Sequence, residues 1–170
     1  MPHVSTYVGL ADHSERRLAE SFRAVADGHA AEVDIFHMCH TLAGWSDTHR
    51  DQLAPIITRY GEQQSPQVRE PERLHHDGLV AVREGQIGLL RDLQDLHVLA
   101  SFVQTTWTVL AQGAQGLRDR ELLSVATTAN AETSRQLSWL TTRLKAAAPQ
   151  ALIVDPPAPQ TATPATSSTS

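Results

Sequence analysis

The sequence has a single cysteine, Cys39, and no run of about twenty uninterrupted apolar residues. One cysteine cannot form an internal disulfide, and no segment has the pattern of a membrane-spanning helix or a signal-peptide core. Basic residues are also few, since 14 Lys and Arg stand against 19 Asp and Glu, giving a formal net charge of −5. Such a surface lacks the basic patch that nucleic acid or anionic lipid requires. These absences predict a cytoplasmic protein that has neither nucleic acid nor membrane as a partner.

A strand pattern is missing as well, because no run of residues alternates between apolar and polar side chains as a half-buried strand requires. Apolar residues instead recur at the three- and four-residue spacings of an amphipathic helix through most of the chain. A length of 170 residues with 41% hydrophobic side chains is enough for one domain with a sizeable core and too short for two. The sequence therefore predicts a single all-α domain.

Four helices are predicted, at about residues 10–27, 31–60, 73–114 and 118–147. The polar segment 61–71 is a longer connection between the second and third helices, and Pro149 is expected to close the fourth. Two short connections and one longer one predict an antiparallel up-down four-helix bundle that occupies residues 1–154. Residues 155–170 contain only Pro, Ala, Ser, Thr, Gln and one Asp, so they are predicted to form a disordered tail.

The stretch HMCHTLAGWSDTH, residues 37–49, gathers three histidines, the cysteine and a tryptophan on the second helix. A rotation of roughly 100° per residue divides these side chains between two faces. The predicted inward face consists of Ile35, Met38, Leu42, Trp45, His49, Leu53, Ile56 and Tyr60. His37 and His40 then face solvent, where they could hold a surface metal but are more simply solvated. Cys39 lies at the edge of the inward face and is predicted to be a buried or half-buried thiol.

His49 differs from its neighbours because it interrupts an otherwise apolar face, where an imidazole needs a hydrogen-bond partner or a metal ion. His97 has the same status on the third helix, and Glu15 lies at the flank of the inward face of the first. Two explanations stay open. In the first, each histidine bonds to a carboxylate or to a backbone carbonyl. In the second, Glu15, His49 and His97 meet and bind one metal ion.

A helical bundle of this kind resembles the ferritin-like superfamily over roughly residues 10–144. Such bundles hold two irons between a glutamate on each of two helices and a Glu-x-x-His pair on each of the other two. The matching segment of the second helix is Ser-Asp-Thr-His at residues 46–49, which keeps the histidine and has serine in place of the glutamate. On the fourth helix the inward frame is Asn-Ala-Glu-Thr at residues 130–133, which has neither ligand. A frame that begins at Glu132 supplies a glutamate, but this side chain is predicted to point outward.

The resemblance places Glu15 at the glutamate position of the first helix, and His97 or Gln94 near the ligand position of the third. Too few carboxylates remain to hold two cations close together, so ferroxidase or oxygenase activity is not expected. The leading hypothesis is a non-catalytic structural, stress-related or partner-binding protein. The alternative is a protein that binds one iron, manganese or zinc ion through Glu15, His49 and His97 and has a redox or sensing role.

Trp139 lies off the predicted inward face of the fourth helix, beside Leu140. An exposed tryptophan at such a place hints at an interface, which favours a homodimer or contact with another protein partner. A tryptophan that lies along the end of a neighbouring helix explains the position equally well.

Overall fold

The computed structural model describes residues 2–61, 78–79 and 81–154. In these ranges the chain forms four α-helices and no strand, which confirms the all-α class. The helices are α1 (Pro2–Gly28), α2 (Val33–Gly61), α3 (Gly85–Leu117) and α4 (Arg120–Leu152). The predicted disordered tail, residues 155–170, lies outside the described residues.

The helix ends differ from the prediction at three places. α1 begins at Pro2 rather than near residue 10, and Val8, which precedes the predicted helix, is buried in the core. α3 begins at Gly85 rather than near residue 73. Residues 81–84 are non-helical, Glu84 is extended, and Gly85 has a φ of +75°, which glycine adopts readily. α4 continues through Pro149 to Leu152, so the prediction that Pro149 closes this helix is wrong. A proline this close to a helix end removes one backbone hydrogen bond and leaves the last turn intact.

The buried face of α2 largely follows the predicted stripe. Ile35, Leu42, His49, Leu53, Ile56 and Tyr60 are buried, as expected. Met38 and Trp45 are only half-buried, whereas Cys39, Ala43 and Ser46 are completely buried. The helix is therefore turned slightly from its predicted orientation, toward its smaller side chains.

The third and fourth helices are turned further. α3 buries Leu89 and Leu96, while His97, predicted to be inward, is only half-buried. On α4, Ala126, Thr133 and Leu140 are buried as predicted. The helix also buries Leu122, Ala129 and Gln136, whereas the neighbouring Leu123, Asn130 and Leu137, predicted to face inward, are only half-buried. Trp139 is half-buried and packs against the hydrophobic core. Both rotations bring different polar side chains into the bundle from those that were predicted.

Each helix packs against two others: α1 against α2 and α3, and α4 against α2 and α3. At one end of the bundle, Arg59 and Tyr60 of α2 donate to Asp119, the N-cap residue of α4, at 2.7 and 2.8 Å. At the other end, Arg143 of α4 donates to Glu32, which directly precedes α2, at 3.0 Å. These contacts fix α2 and α4 against each other at both ends.

Residues 81–84 form a non-helical segment that is attached to α3 by one buried carboxylate. The backbone N–H and the guanidinium of Arg83 donate to Asp92, at 2.9 and 2.7 Å. His29, which follows α1, bonds to the same carboxylate at 2.8 Å. Asp92 therefore joins the end of α1 to the beginning of α3.

Within the described residues, no helix is both long enough and apolar enough to cross a membrane.

Candidate functional site

His49 of α2 lies at the centre of the bundle and is completely buried. Its Nδ1 is hydrogen-bonded to Glu15 Oε1 of α1 at 2.8 Å, and its Nε2 is hydrogen-bonded to Glu132 Oε2 of α4 at 2.7 Å. A buried imidazole must satisfy both ring nitrogens, because water is not available to do so. In this protein two carboxylates from two other helices satisfy them.

Trp107 brings the remaining helix into the same group. Its indole N–H donates to Glu15 Oε1 at 2.7 Å, and its ring meets that of His49 edge to face at 6.2 Å between centroids. We refer to Glu15, His49, Trp107 and Glu132 as the central cluster, to which each of the four helices contributes one side chain. The first three are completely buried, whereas the side chain of Glu132 is 32% exposed and connects the cluster to the surface.

The geometry of the central cluster favours a protonated His49. A neutral imidazole has one N–H, but here two carboxylates each face a ring nitrogen at hydrogen-bond distance, so both nitrogens are best used as donors. Burial lowers the pKa of His49, but the hydrogen bonds and charges of Glu15 and Glu132 outweigh burial, and the pKa is raised above its ordinary value of 6.5. These contacts therefore favour an imidazolium held between two carboxylates.

The structure brings together two of the three predicted ligands, Glu15 and His49, but not the third. His97 bonds to Thr141 Oγ1 at 3.2 Å and lies ten residues before Trp107 on α3. Ten residues of α-helix span about 15 Å. Glu132, rather than His97, is the third side chain at this place, where it bonds to His49. The prediction that Glu132 points outward is therefore wrong.

The orientation of Glu132 was predicted wrongly because the inward face of α4 contains few large apolar residues. Its central buried positions include Ala126, Ala129 and Gln136, which give a weak hydrophobic pattern. The predicted inward face instead included Leu123 and Leu137, which are only half-buried. On a face defined by these leucines, Glu132 points outward. Glu132 stands four residues before the buried Gln136, one turn along the same side of the helix.

Ser46 is the residue that the resemblance to the ferritin-like superfamily sets at the glutamate position of the second helix. Its hydroxyl is completely buried and accepts a hydrogen bond from Gln136 Nε2 of α4 at 3.2 Å. The same amide also donates to the Leu42 carbonyl at 3.0 Å. A serine and a glutamine thus form a neutral contact between α2 and α4, one turn from His49.

As arranged, these residues do not fit the metal centre of a ferritin-like bundle. In ranges 2–61, 78–79 and 81–154, no three His, Cys, Asp or Glu side chains converge in a way that could hold a metal ion. A ligating histidine must also offer an unprotonated nitrogen, and both nitrogens of His49 are bonded to carboxylates.

The other histidines of the 37–49 stretch lie outside the central cluster. His37 is exposed, as predicted, and the half-buried His40 bonds to Asp27 Oδ1 at 3.1 Å. Phe36 packs its ring against the rings of both histidines. These contacts account for His40 without a metal ion.

Cys39 is expected to be unreactive in the folded protein. Burial, followed by the nearby charge of Asp34, raises the pKa of this thiol from 9.0 to about 12, so almost no thiolate is present at neutral pH. A disulfide reagent such as Ellman's should therefore modify Cys39 only after a denaturant is added. Rapid, complete modification of the native protein would show that α2 does not bury this face.

Neither a protein-family model, nor a curated protein, nor a solved structure matches this chain.

Proposed function

We propose that this protein is a ferritin-like bundle with a structural, stress-related or partner-binding role, in which a protonated histidine replaces the metal centre. The observation that carries the proposal is the position of His49, whose two ring nitrogens bond to Glu15 and Glu132. The imidazolium supplies the positive charge that metal ions supply to the carboxylates of ferritin-like enzymes. The lone, buried Cys39 accords with a cytoplasmic location.

The order of the helices supports the ferritin-like part of the proposal. α2 and α4 run in opposite directions, because the end of each helix contacts the start of the other. α1 and α3 are also antiparallel, since His29, which follows α1, bonds to Asp92 near the start of α3. The contact between Asp12 and Arg50 indicates that α1 and α2 also run in opposite directions. On this basis α2 and α3 point the same way, which differs from the up-down arrangement predicted from the sequence and requires a connection along the whole bundle. A single long connection of this kind is a feature of ferritin-like folds.

Burial of the central cluster supports a role other than catalysis. Glu15, His49 and Trp107 are completely enclosed, so a substrate cannot contact them unless helices separate. Each of the three uses its polar group to bind another member of the cluster. The arrangement holds four helices together, and the unpaired Glu15 Oε2 is buried where a substrate cannot reach it.

One observation favours the alternative, a protein that binds a single iron, manganese or zinc ion. Glu15 Oε2 is buried and has no hydrogen-bond partner among the described residues. A carboxylate oxygen of this kind could bind an ion if His49 lost a proton and turned toward it. Glu132 would then serve as the third ligand in place of His97.

The pH dependence of stability separates the two proposals. The folded pKa of His49 is raised above 6.5, so its stabilising contribution is complete below pH 6.5 and is lost as pH rises through the folded pKa. For the imidazolium cluster, the melting temperature should therefore fall as pH rises from about 6.5, and EDTA should have no effect. The variant His49→Gln should lack this fall, whereas His37→Gln should keep it.

Bound metal would reverse the pH dependence, because protons compete with the ion for His49. Stability would then increase with pH, EDTA would lower the melting temperature, and near-stoichiometric metal would remain after dialysis. These results would replace the proposal with the metal-binding alternative. Measurements should stay below pH 9. The pKa values of Cys39 and Tyr60 are raised to about 12 in the folded protein, so above pH 9 these groups lose their protons more readily in the unfolded chain, which lowers stability.

A further inference from the structure

The contact between α2 and α4 is unlike the other helix contacts of the bundle. Of the helix pairs that touch within the described residues, α3 and α4 pack most closely and α2 and α4 least closely. Polar groups nevertheless join α2 and α4 along much of their length. Between the ion pairs at the two ends, Gln136 donates to the Leu42 carbonyl and to Ser46, and Glu132 bonds to His49. We call this contact between α2 and α4 the polar seam.

Polar contacts position the two helices at the polar seam but contribute little to keeping them together. When such groups separate, water replaces each partner, so the net contribution of a hydrogen bond is small. The ion pairs at the two ends contribute less still, because Arg59 is 43% exposed and Glu32 is 37% exposed, and both already contact water. Apolar surface finds no such replacement in water. Of the contacts between helices, the polar seam is therefore the one that costs least to open.

Opening the polar seam breaks the central cluster only at Glu132. The bonds of Glu15 to His49 and to Trp107 join α1 to α2 and to α3, so neither crosses the seam. Glu132 does cross it, and its side chain already reaches solvent, unlike the other three. If α4 moved away from α2, water would take the place of Glu132 at His49 Nε2. The buried carboxylate of Glu15 would keep both of its partners.

Cys39 lies on the side of α2 that faces the polar seam. It precedes Leu42 by three residues and Ser46 by seven, which puts all three on one side of the helix. Burial and the charge of Asp34 raise the pKa of its thiol, and Arg143 of α4 lies close enough for its charge to oppose them. The thiol is completely buried in the hydrophobic core. Separation of α4 from α2 would therefore expose Cys39 to solvent without unfolding a helix.

We propose that the polar seam opens as a unit, with α4 moving away from α2 while all four helices stay folded, and that the bond of Glu132 to His49 holds it closed at its centre. Local openings of this kind involve the least stable contacts of a fold. The inference goes beyond the proposed function, because it holds whether the central cluster binds a proton or a metal ion. In either case, water or a small ion reaches His49 from solvent along the side of Glu132.

The test is the rate at which a disulfide reagent modifies Cys39 at denaturant concentrations below the unfolding transition, where circular dichroism still shows full helix content. If the polar seam opens, modification should be faster than global unfolding allows. Its rate should also depend only weakly on denaturant, because a local opening exposes little surface. Glu132→Gln should increase this rate about tenfold or more, because it weakens the contact that holds the seam closed at its centre.

Arg59→Gln and Arg50→Gln form a matched pair, because each removes an arginine of α2 that pairs with an aspartate outside that helix. Arg59 pairs across the polar seam with Asp119, whereas Arg50 pairs with Asp12 of α1. Arg59 is twenty residues from Cys39, or about 30 Å along α2, so its charge does not act on the thiol. Arg59→Gln should increase the rate about threefold, and Arg50→Gln should leave it unchanged.

Modification of the original protein that follows global unfolding at every denaturant concentration would overturn the proposal. So would equal acceleration by Arg50→Gln and Arg59→Gln, which would place the opening between α1 and α2. The proposal would also fail if Glu132→Gln left the rate unchanged. Arg59 and Arg50 are both partly exposed, so their variants keep the test decisive if Glu132→Gln does not fold.

Discussion

Replacing His49 with alanine is expected to lower the free energy of unfolding by about 3 to 5 kcal/mol, as for other buried ion pairs that lose one partner. The substitution leaves the buried Glu15 carboxylate with the Trp107 indole as its one remaining partner in the central cluster. It also leaves an unfilled volume at the centre of four helices. Denaturant unfolding at pH 6, followed by circular dichroism, measures the change.

Two further variants make this result specific. His37→Ala, on the exposed side of the same helix, should change stability by no more than about 0.5 kcal/mol. Glu15→Gln should be destabilising in the original protein and much less so in His49→Ala, because the charge it removes has already lost its partner. Equal, small effects of His49→Ala and His37→Ala would mean that α2 is rotated. Strictly additive effects of His49→Ala and Glu15→Gln would mean that the two side chains do not interact.

Replacing Trp107 is expected to have the second large effect, and two substitutions separate its causes. Trp107→Ala removes a completely buried side chain and should cost about 3 to 5 kcal/mol. Trp107→Phe keeps most of the packing but loses the hydrogen bond to Glu15, and a bond to a charged group contributes about 1.5 to 3 kcal/mol. Unfolding by denaturant again provides the measurement.

Trp45→Phe is the control for this pair, since Trp45 is only half-buried. It should cost clearly less than Trp107→Phe. If Trp107→Phe were as stable as the original protein, the hydrogen bond to Glu15 would not contribute to stability. The central cluster would then reduce to the three ionisable side chains.

The position of His49 could be predicted from the sequence because α2 has a clear pattern. Large residues such as Ile35, Leu42 and Ile56 recur on one side of the helix, and His49 falls between them. The glutamate on α1 could be paired with it for the same reason, since Leu18, Phe22 and Val25 mark the inward side of that helix. Regular spacing of large apolar residues thus identified two members of the central cluster.

A third member, Trp107, was also predicted to face inward on α3, and it is completely buried. Its bond to Glu15 and the contact of Glu132 with His49 could not be predicted in the same way. α3 has apolar residues around most of its circumference, so a wheel does not distinguish Leu96 from His97 as the inward residue. On α4, buried alanines contribute little to the pattern, and Glu132 lies at the margin of the inward face. Its side chain reaches His49 because a glutamate is long enough to extend inward from that margin, which residue periodicity does not describe.

Because each helix contributes one side chain to the central cluster, the cluster also determines how far along the bundle each helix lies. If α4 moved along α2 by one turn, about 5.4 Å, Glu132 would lose His49 and an imidazolium N–H would be buried without an acceptor. Leucine and alanine contacts tolerate such a shift, because one apolar side chain can replace another. The ionic contacts do not tolerate it, so the polar centre sets the alignment of helices that apolar packing alone would leave free to slide.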